Sequence, residues 1–334
     1  MAKKPTQDLD KPSLLKSSQL FRAINIVIVD PDYKMAILVK KILATLGYNR
    51  IFIVHDGADV LTLMKEEKID VIITDWTLKS MSGIDLAIHL RRSLDSPDRM
   101  IPIIMLTARN DVKDIQTARD AGVSEYLIKP FSSKTLLERL YAVVEEPRSF
   151  ILCSSYVGPD RRRVSSFTLP PDPDANRTYF ERKPPIIVPR EQLKQLVFDE
   201  TPRMILPDYS LKKKIGFDVP AELLINPMTI AQSEDEVRKA QDDFVKTITE
   251  DVTRLETLYQ TLLASPDNAR TLVAAIQKIA ESIKSRAGIF GYIRATEVAS
   301  QLYNFCRRHY DRTNPSHLII LEKHIQTIAV IFTG

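Results

Sequence analysis

The feature that most constrains this chain is a repeat. Between Ile24 and Val144, short runs of β-branched residues alternate with segments whose apolar residues recur every three or four positions. An apolar run without polar alternation suits a strand buried on both faces of a parallel sheet, and the three-four spacing suits a helix laid against that sheet. The runs fall at 24–29, 50–54, 71–74, 101–106 and 125–128, and the helical segments at 34–46, 58–65, 84–92, 112–121 and 134–144. Five such βα units in sequence predict a doubly wound α/β domain of the flavodoxin-like type over residues 21–147.

The pattern breaks on either side. Residues 1–20 are polar and predict a flexible N-terminal tail, and no apolar run of spanning length is present. Twelve of the twenty prolines lie between Pro147 and Pro227, which predicts a linker over 148–230 with little regular structure. The islands PIIVP and MILP within it predict local packing on a neighbour. The cluster Arg161, Arg162 and Arg163 reads as a solvated basic tract. Helical periodicity returns at 234–264, 268–287, 295–310 and 317–332. The turn signals Ser265-Pro266-Asp267 and Asn314-Pro315-Ser316, with Gly288 and Gly291, separate these segments. A C-terminal all-α helical bundle over 231–334 is the expectation.

Charge decides little. The formal net charge is +4, from 47 basic and 43 acidic side chains, so there is no strong pull toward nucleic acid or anionic lipid. No short helix-turn-helix pair with a basic recognition helix is present. Cys153 and Cys306 stand far apart without a CxxC or Cys/His cluster. That argues against a disulfide framework or zinc site and makes a reducing cytoplasm the simplest compartment.

In an open parallel sheet the reactive crevice lies beyond the carboxyl ends of the strands. The residues there are Asp30 after the first run, Asp75 after the third, Thr107 after the fourth, and Lys129 followed by Pro130 and Phe131 after the fifth. A carboxylate attacks a phosphoryl group productively only when the charge on the phosphoryl oxygens is neutralised. Lys129 offers an ammonium, Thr107 a short hydroxyl, and Asp30 with Asp75 a partial oxygen cage for a hard cation such as Mg²⁺. Each of these residues alone reads as a cap, a packing residue or a surface charge; it is their co-occurrence at four strand ends that points to chemistry.

The motifs IVIVD, VIITDWTLKSMSG, IIMLTA and SEYLIKPF, in this order and spacing, resemble the receiver domain of two-component response regulators over roughly residues 22–146. The resemblance implies Asp75 as phosphoacceptor, Asp30 as an acidic-pocket residue, and Thr77 as the donor of a backbone carbonyl to Mg²⁺. It further implies Thr107 as switch hydroxyl, Lys129 as the phosphoryl-binding lysine and Tyr126 as the aromatic switch. Such a protein is a signalling switch and not an enzyme. Its partners are a sensor histidine kinase or histidine-phosphotransfer protein upstream and a protein downstream, with no membrane or nucleic acid and with a homodimer among the options. Two departures stand out. Pro31 replaces the second residue of the usual acidic pair, with Asp32 one position late, which implies weakened Mg²⁺ binding; Lys79 stands where the family commonly has proline.

The segment IQKIAESIKSRAGIFGY is similar to a histidine-phosphotransfer motif, with Glu281 at the histidine position, Lys284 in its expected place and Ser285 for the usual glycine. A carboxylate there cannot serve as a nucleophilic imidazole, so the similarity implies a bundle that docks without relaying. An unrelated four-helix bundle is the alternative. His309, His317 and His324 lie outside the motif and read as surface or core residues. Two other functional readings stay open. One is a haloacid-dehalogenase-like phosphatase using Asp30 as nucleophile and Asp32 as acid/base; the other is a pseudo-receiver scaffold.

Overall fold

The computed structural model describes residues 23–161, 185–194, 198–207, 209–215, 227–311 and 313–333. The expected tail, Arg162, Arg163 and parts of the expected linker lie outside these residues.

Five strands form the central sheet: β1 (Asn25–Val29), β2 (Arg50–Val54), β3 (Val71–Thr74), β4 (Ile103–Thr107) and β5 (Glu125–Ile128). Their order is β2-β1-β3-β4-β5, the flavodoxin-like arrangement. β1 pairs in parallel with both β2 and β3, with Ile26 opposite Val71 and Val29 opposite Thr74, and β3 pairs with β4 through Thr74 and Met105. The central strands are buried along their whole length, which explains why they read as continuous apolar runs.

The connecting helices are α1 (Tyr33–Thr45), α2 (Gly57–Glu66), α3 (Gly83–Arg92), α4 (Val112–Asp120) and α5 (Ser133–Glu145). Short polar side chains start the first three. Asp32 accepts from the Lys34 and Met35 amides, Asp56 from the Ala58 amide, and Ser82 from the Asp85 amide. The core between sheet and helices is aliphatic, with Val27, Ile72, Leu86, Leu90 and Ile103 fully buried.

The proline-rich stretch holds more regular structure than its composition suggests. A second sheet of four short strands, β6 (Phe150–Leu152), β7 (Val157–Pro159), β8 (Ile186–Ile187) and β9 (Arg203–Ile205), has the order β7-β6-β9-β8. Prolines sit at the end of β7 and just outside β8 and β9, positions where a missing amide costs little. The island MILP supplies β9 and PIIVP supplies β8. Phe150, Leu152, Val157 and Ile205 form a small core of their own. A short helix, α6 (Ser210–Ile215), follows; Lys214 pairs with buried Asp70 at 2.7 Å and Lys212 with buried Glu145 at 2.8 Å.

The chain divides into two units. One comprises residues up to Met105, Lys113–Tyr126 and Ser133–Ser233; the other comprises Leu106–Val112, Leu127–Ser132 and Glu234–Gly334. The second is dominated by α7 (Pro227–Ala264), α8 (Ala269–Ile289), α9 (Ile293–Arg308) and α10 (Ser316–Thr333). On α7, Phe244, Ile248, Val252, Leu255, Tyr259 and Leu262 recur at helical spacing and bury one stripe against Ile276, Ala280 and Ile283 of α8. Asp251 of α7 forms an ion pair with Arg286 of α8, whose Nη2 also donates to Ser282 Oγ at 2.8 Å. Of the three histidines, His317 Nδ1 accepts from the Asp311 amide at 2.9 Å, His324 Nδ1 lies 2.7 Å from the Ile320 carbonyl, and His309 is exposed just past the end of α9.

Candidate functional site

Asp30 and Asp75 follow β1 and β3, which are neighbours in the sheet, so the two carboxylates leave adjacent strand ends. The Asp75 amide donates to the Val29 carbonyl at 2.8 Å, extending the β1–β3 ladder up to Asp75. Asp30 is only 3% exposed. Its Oδ1 accepts from the Asp32 amide at 2.8 Å, and its carbonyl lies 2.9 Å from His55 Nδ1. The turn that Pro31 introduces therefore folds back onto the Asp30 carboxylate. Asp32 Oδ1 accepts from the Lys34 and Met35 amides at 2.8 and 3.1 Å. It works as the cap of α1, which explains why this carboxylate falls one position late. The same engagement counts against Asp32 as the acid/base of a phosphatase.

The loop after Asp75 is tightly held. Asp75 Oδ1 accepts from the Thr77 amide at 3.0 Å, Thr74 Oγ1 donates to the Asp75 carbonyl at 3.0 Å, and the Gly83 amide closes the loop onto the Trp76 carbonyl at 2.9 Å. A Cβ on residue 83 would lie 2.1 Å from the Asp75 carbonyl oxygen, so only glycine fits where α3 begins. Trp76, Leu78 and Met81 pack against the apolar core beneath this loop, and half-buried Tyr126 packs against the same cluster from β5.

Thr107 closes β4 and Lys129 follows β5, and the Lys129 amide donates to the Thr107 carbonyl at 2.8 Å. Thr107 is 2% exposed and Lys129 5% exposed. Thr107 Oγ1 accepts from the Arg109 amide at a long 3.4 Å.

Among the described residues no group of three or more His, Cys, Asp or Glu side chains converges as a metal cage. The donors expected there from the sequence are two carboxylates and the Thr77 carbonyl, all hard oxygens. That set fits Mg²⁺, which binds through one or two carboxylates and keeps waters or phosphate oxygens for its other positions. It fits poorly a cation that needs a dedicated protein cage.

Sequence reasoning overlooked Asp56. Its carboxylate accepts from the Ala58 amide as the cap of α2, and also from Ser80 Oγ at 2.6 Å, the Ser80 amide at 2.7 Å and the Met81 amide at 3.3 Å. The dipeptide Asp56-Gly57 ahead of a helix announces a cap. The reach to a loop 24 residues away leaves no sequence signal.

Residues 26–141 match the model of the response regulator receiver domain. The chain is 36% identical over 126 residues to chemotaxis protein CheY-3 of Vibrio cholerae, covering 95% of that protein and 38% of this chain. The chain belongs to the response regulator receiver family. Chemotaxis protein CheY1 of Helicobacter pylori is 34% identical over 127 residues, 97% of its length and 36% of this chain. Among solved structures, chemotaxis protein CheY4 of Vibrio cholerae is 28% identical, with 98% of it and 36% of this chain covered at a TM-score of 0.34. A sensor histidine kinase receiver domain from Pseudomonas aeruginosa, described with magnesium coordinated in its active-site cleft, is 27% identical, with 95% of it and 36% of this chain covered at a TM-score of 0.33. The receiver assignment thus accounts for just over a third of the chain. No helix among the described residues is long and apolar enough to cross a membrane.

Proposed function

We propose that this protein is a phosphorelay response regulator in which Asp75 accepts a phosphoryl group from a phosphohistidine donor and the change is read as altered protein contacts. The observation that carries this reading is the paired carboxylates Asp30 and Asp75 on adjacent strand ends, with the Asp75 loop held by its own hydrogen bonds. In the transfer, the P–N bond of the donor breaks, its electron pair stays with the imidazole, and a P–O bond forms to an Asp75 carboxylate oxygen. Asp30, Asp75 and the Thr77 carbonyl would hold Mg²⁺, which supplies charge neutralisation for the phosphoryl oxygens. Lys129 contributes a second positive charge and Thr107 a hydroxyl donor, and the reorientation of Thr107 with Tyr126 propagates the switch. The donor is a sensor histidine kinase or phosphotransfer protein, and the output does not bind DNA. The C-terminal bundle, with Glu281 and Lys284 exposed on α8, serves as a docking module without a relay histidine.

Intact-protein mass spectrometry after incubation with a small phosphodonor and Mg²⁺ tests the reading. Wild type gains one phosphoryl mass and Asp75→Ala gains none. Absence of any gain in folded wild type assigns the domain to the pseudo-receiver class; equal gain in both proteins removes Asp75 as acceptor.

A further inference from the structure

A helix cap needs one or two hydrogen bonds to the first turn, yet Asp56 makes one there and three elsewhere. Its Oδ1 receives Ala58 N at 3.1 Å, Ser80 Oγ at 2.6 Å and Met81 N at 3.3 Å, while Oδ2 receives Ser80 N at 2.7 Å. Four donors approach the acceptor capacity of an ionised carboxylate. They hold the Asp56 carboxyl well below the usual carboxylate range, the Ser80 hydroxyl and amide being the largest causes.

Ser80 and Met81 lie in the middle of the loop that leaves Asp75. That loop is fastened at its start by Thr77 N on Asp75 Oδ1 and closed by Gly83 N on the Trp76 carbonyl. Between those two anchors stand Leu78, Lys79, Ser80, Met81 and Ser82. Lys79 brings none of the backbone restraint that a proline at this place would impose. The Asp56 carboxylate supplies a restraint from outside the loop. The backbones also meet closely: a Cβ on Gly57 would lie 2.8 Å from the Met81 carbonyl oxygen.

We propose that Asp56 is a positioning residue of the acceptor site, stapling the 76–82 loop so that the Thr77 carbonyl and the Asp75 carboxylate keep the geometry a divalent cation requires. This rests on the reading of Asp75 as phosphoacceptor and adds a residue to it. Asp56 touches neither cation nor phosphoryl group; it acts through Ser80 and Met81.

The substitution Asp56→Asn separates the two roles. Asparagine caps helices as well as aspartate does, but its single acceptor oxygen cannot serve four donors. Ser80→Ala removes the hydroxyl donor and leaves the cap untouched. The first measurement is hydrogen exchange of metal-free full-length protein: in Asp56→Asn the Ser80 and Met81 amides exchange about tenfold faster, the effect of one lost charge-assisted bond, while α2 amides are unchanged. The second is a titration with Mg²⁺ alone followed by the fluorescence of Trp76, the chain's single tryptophan. The midpoint rises several-fold in Asp56→Asn and by a smaller factor in Ser80→Ala. Unchanged exchange in the loop, an unchanged Mg²⁺ midpoint despite faster exchange, or no Mg²⁺ response in wild type each overturns the proposal. Failure of wild type to take up a phosphoryl group, with the Asp56→Asn effects on exchange and metal intact, overturns the acceptor reading and leaves the staple standing.

Discussion

At the scale of single residues, the candidate site mixes groups that the sequence announces with groups it conceals. Asp30, Asp75, Thr107 and Lys129 are legible because each ends or follows a strand of the central sheet, and strand ends are recognisable from apolar runs. Gly83 and Asp56 are not, because their importance lies in what approaches them: a carbonyl at 2.1 Å from a hypothetical Cβ, and a serine 24 residues away. The Asp56 contacts have a pH signature. A carboxyl whose folded value is depressed from an ordinary 3.8 contributes its full stabilisation above that ordinary value and loses it as pH falls toward the folded value. The difference in unfolding free energy between wild type and Asp56→Asn should therefore be constant from neutral pH down to roughly pH 5 and shrink below about pH 4. Urea titrations of both proteins across this range check it; a difference that stays constant through pH 3 removes the charge-dependent contribution.

At the scale of elements, periodicity located the five βα units to within a residue or two, because long strands and helices average over individual exceptions. The second sheet escaped for the opposite reason. Strands of two or three residues carry no period, and prolines beside them mask what is there. What marks this region as folded is Arg91 at the end of α3, which a helix-face reading would send to solvent. Arg91 is 1% exposed, and its guanidinium donates to the carbonyls of Gly122, Arg99 and Ile101 at 3.0, 2.8 and 2.8 Å, with the Phe150 ring of β6 5.3 Å away. Arg99 in turn donates to the Leu193 carbonyl at 3.1 Å. Planar geometry and five donors make arginine irreplaceable by lysine here. Arg91→Met should cost about 3 kcal/mol by leaving three buried carbonyls unsatisfied, and Arg91→Lys should recover less than half. Equilibrium urea unfolding measures both; a loss under about 1 kcal/mol in Arg91→Met shows that water or relaxation satisfies the carbonyls.

At the scale of the whole molecule, sequence and structure divide the chain differently. Pattern assigns the loops after β4 and β5 to the α/β domain, whereas packing groups Leu106–Val112 and Leu127–Ser132 with the C-terminal helices. Within that unit the turn between α8 and α9 lies against residues just beyond the two site residues the loops carry. Gly288 is near Ala108, and a Cβ on Gly291, whose φ is +77°, would come within 2.6 Å of the Pro130 ring. Thr107 and Lys129 precede these contact points by a single residue each. A reorientation of Thr107 on phosphorylation is therefore expected to register in the helices, since packed elements transmit small shifts between discrete arrangements. Hydrogen exchange of full-length protein, with and without a small phosphodonor and Mg²⁺, should show changed protection at residues 287–296 in wild type and none in Asp75→Ala. Gly288→Leu, whose side chain projects toward Ala108 from a position with an ordinary φ, should weaken that response while leaving phosphoryl uptake within about twofold of wild type, as expected for a residue remote from the reacting atoms. A response at 287–296 that survives Gly288→Leu unchanged would locate the transmission elsewhere on the loops.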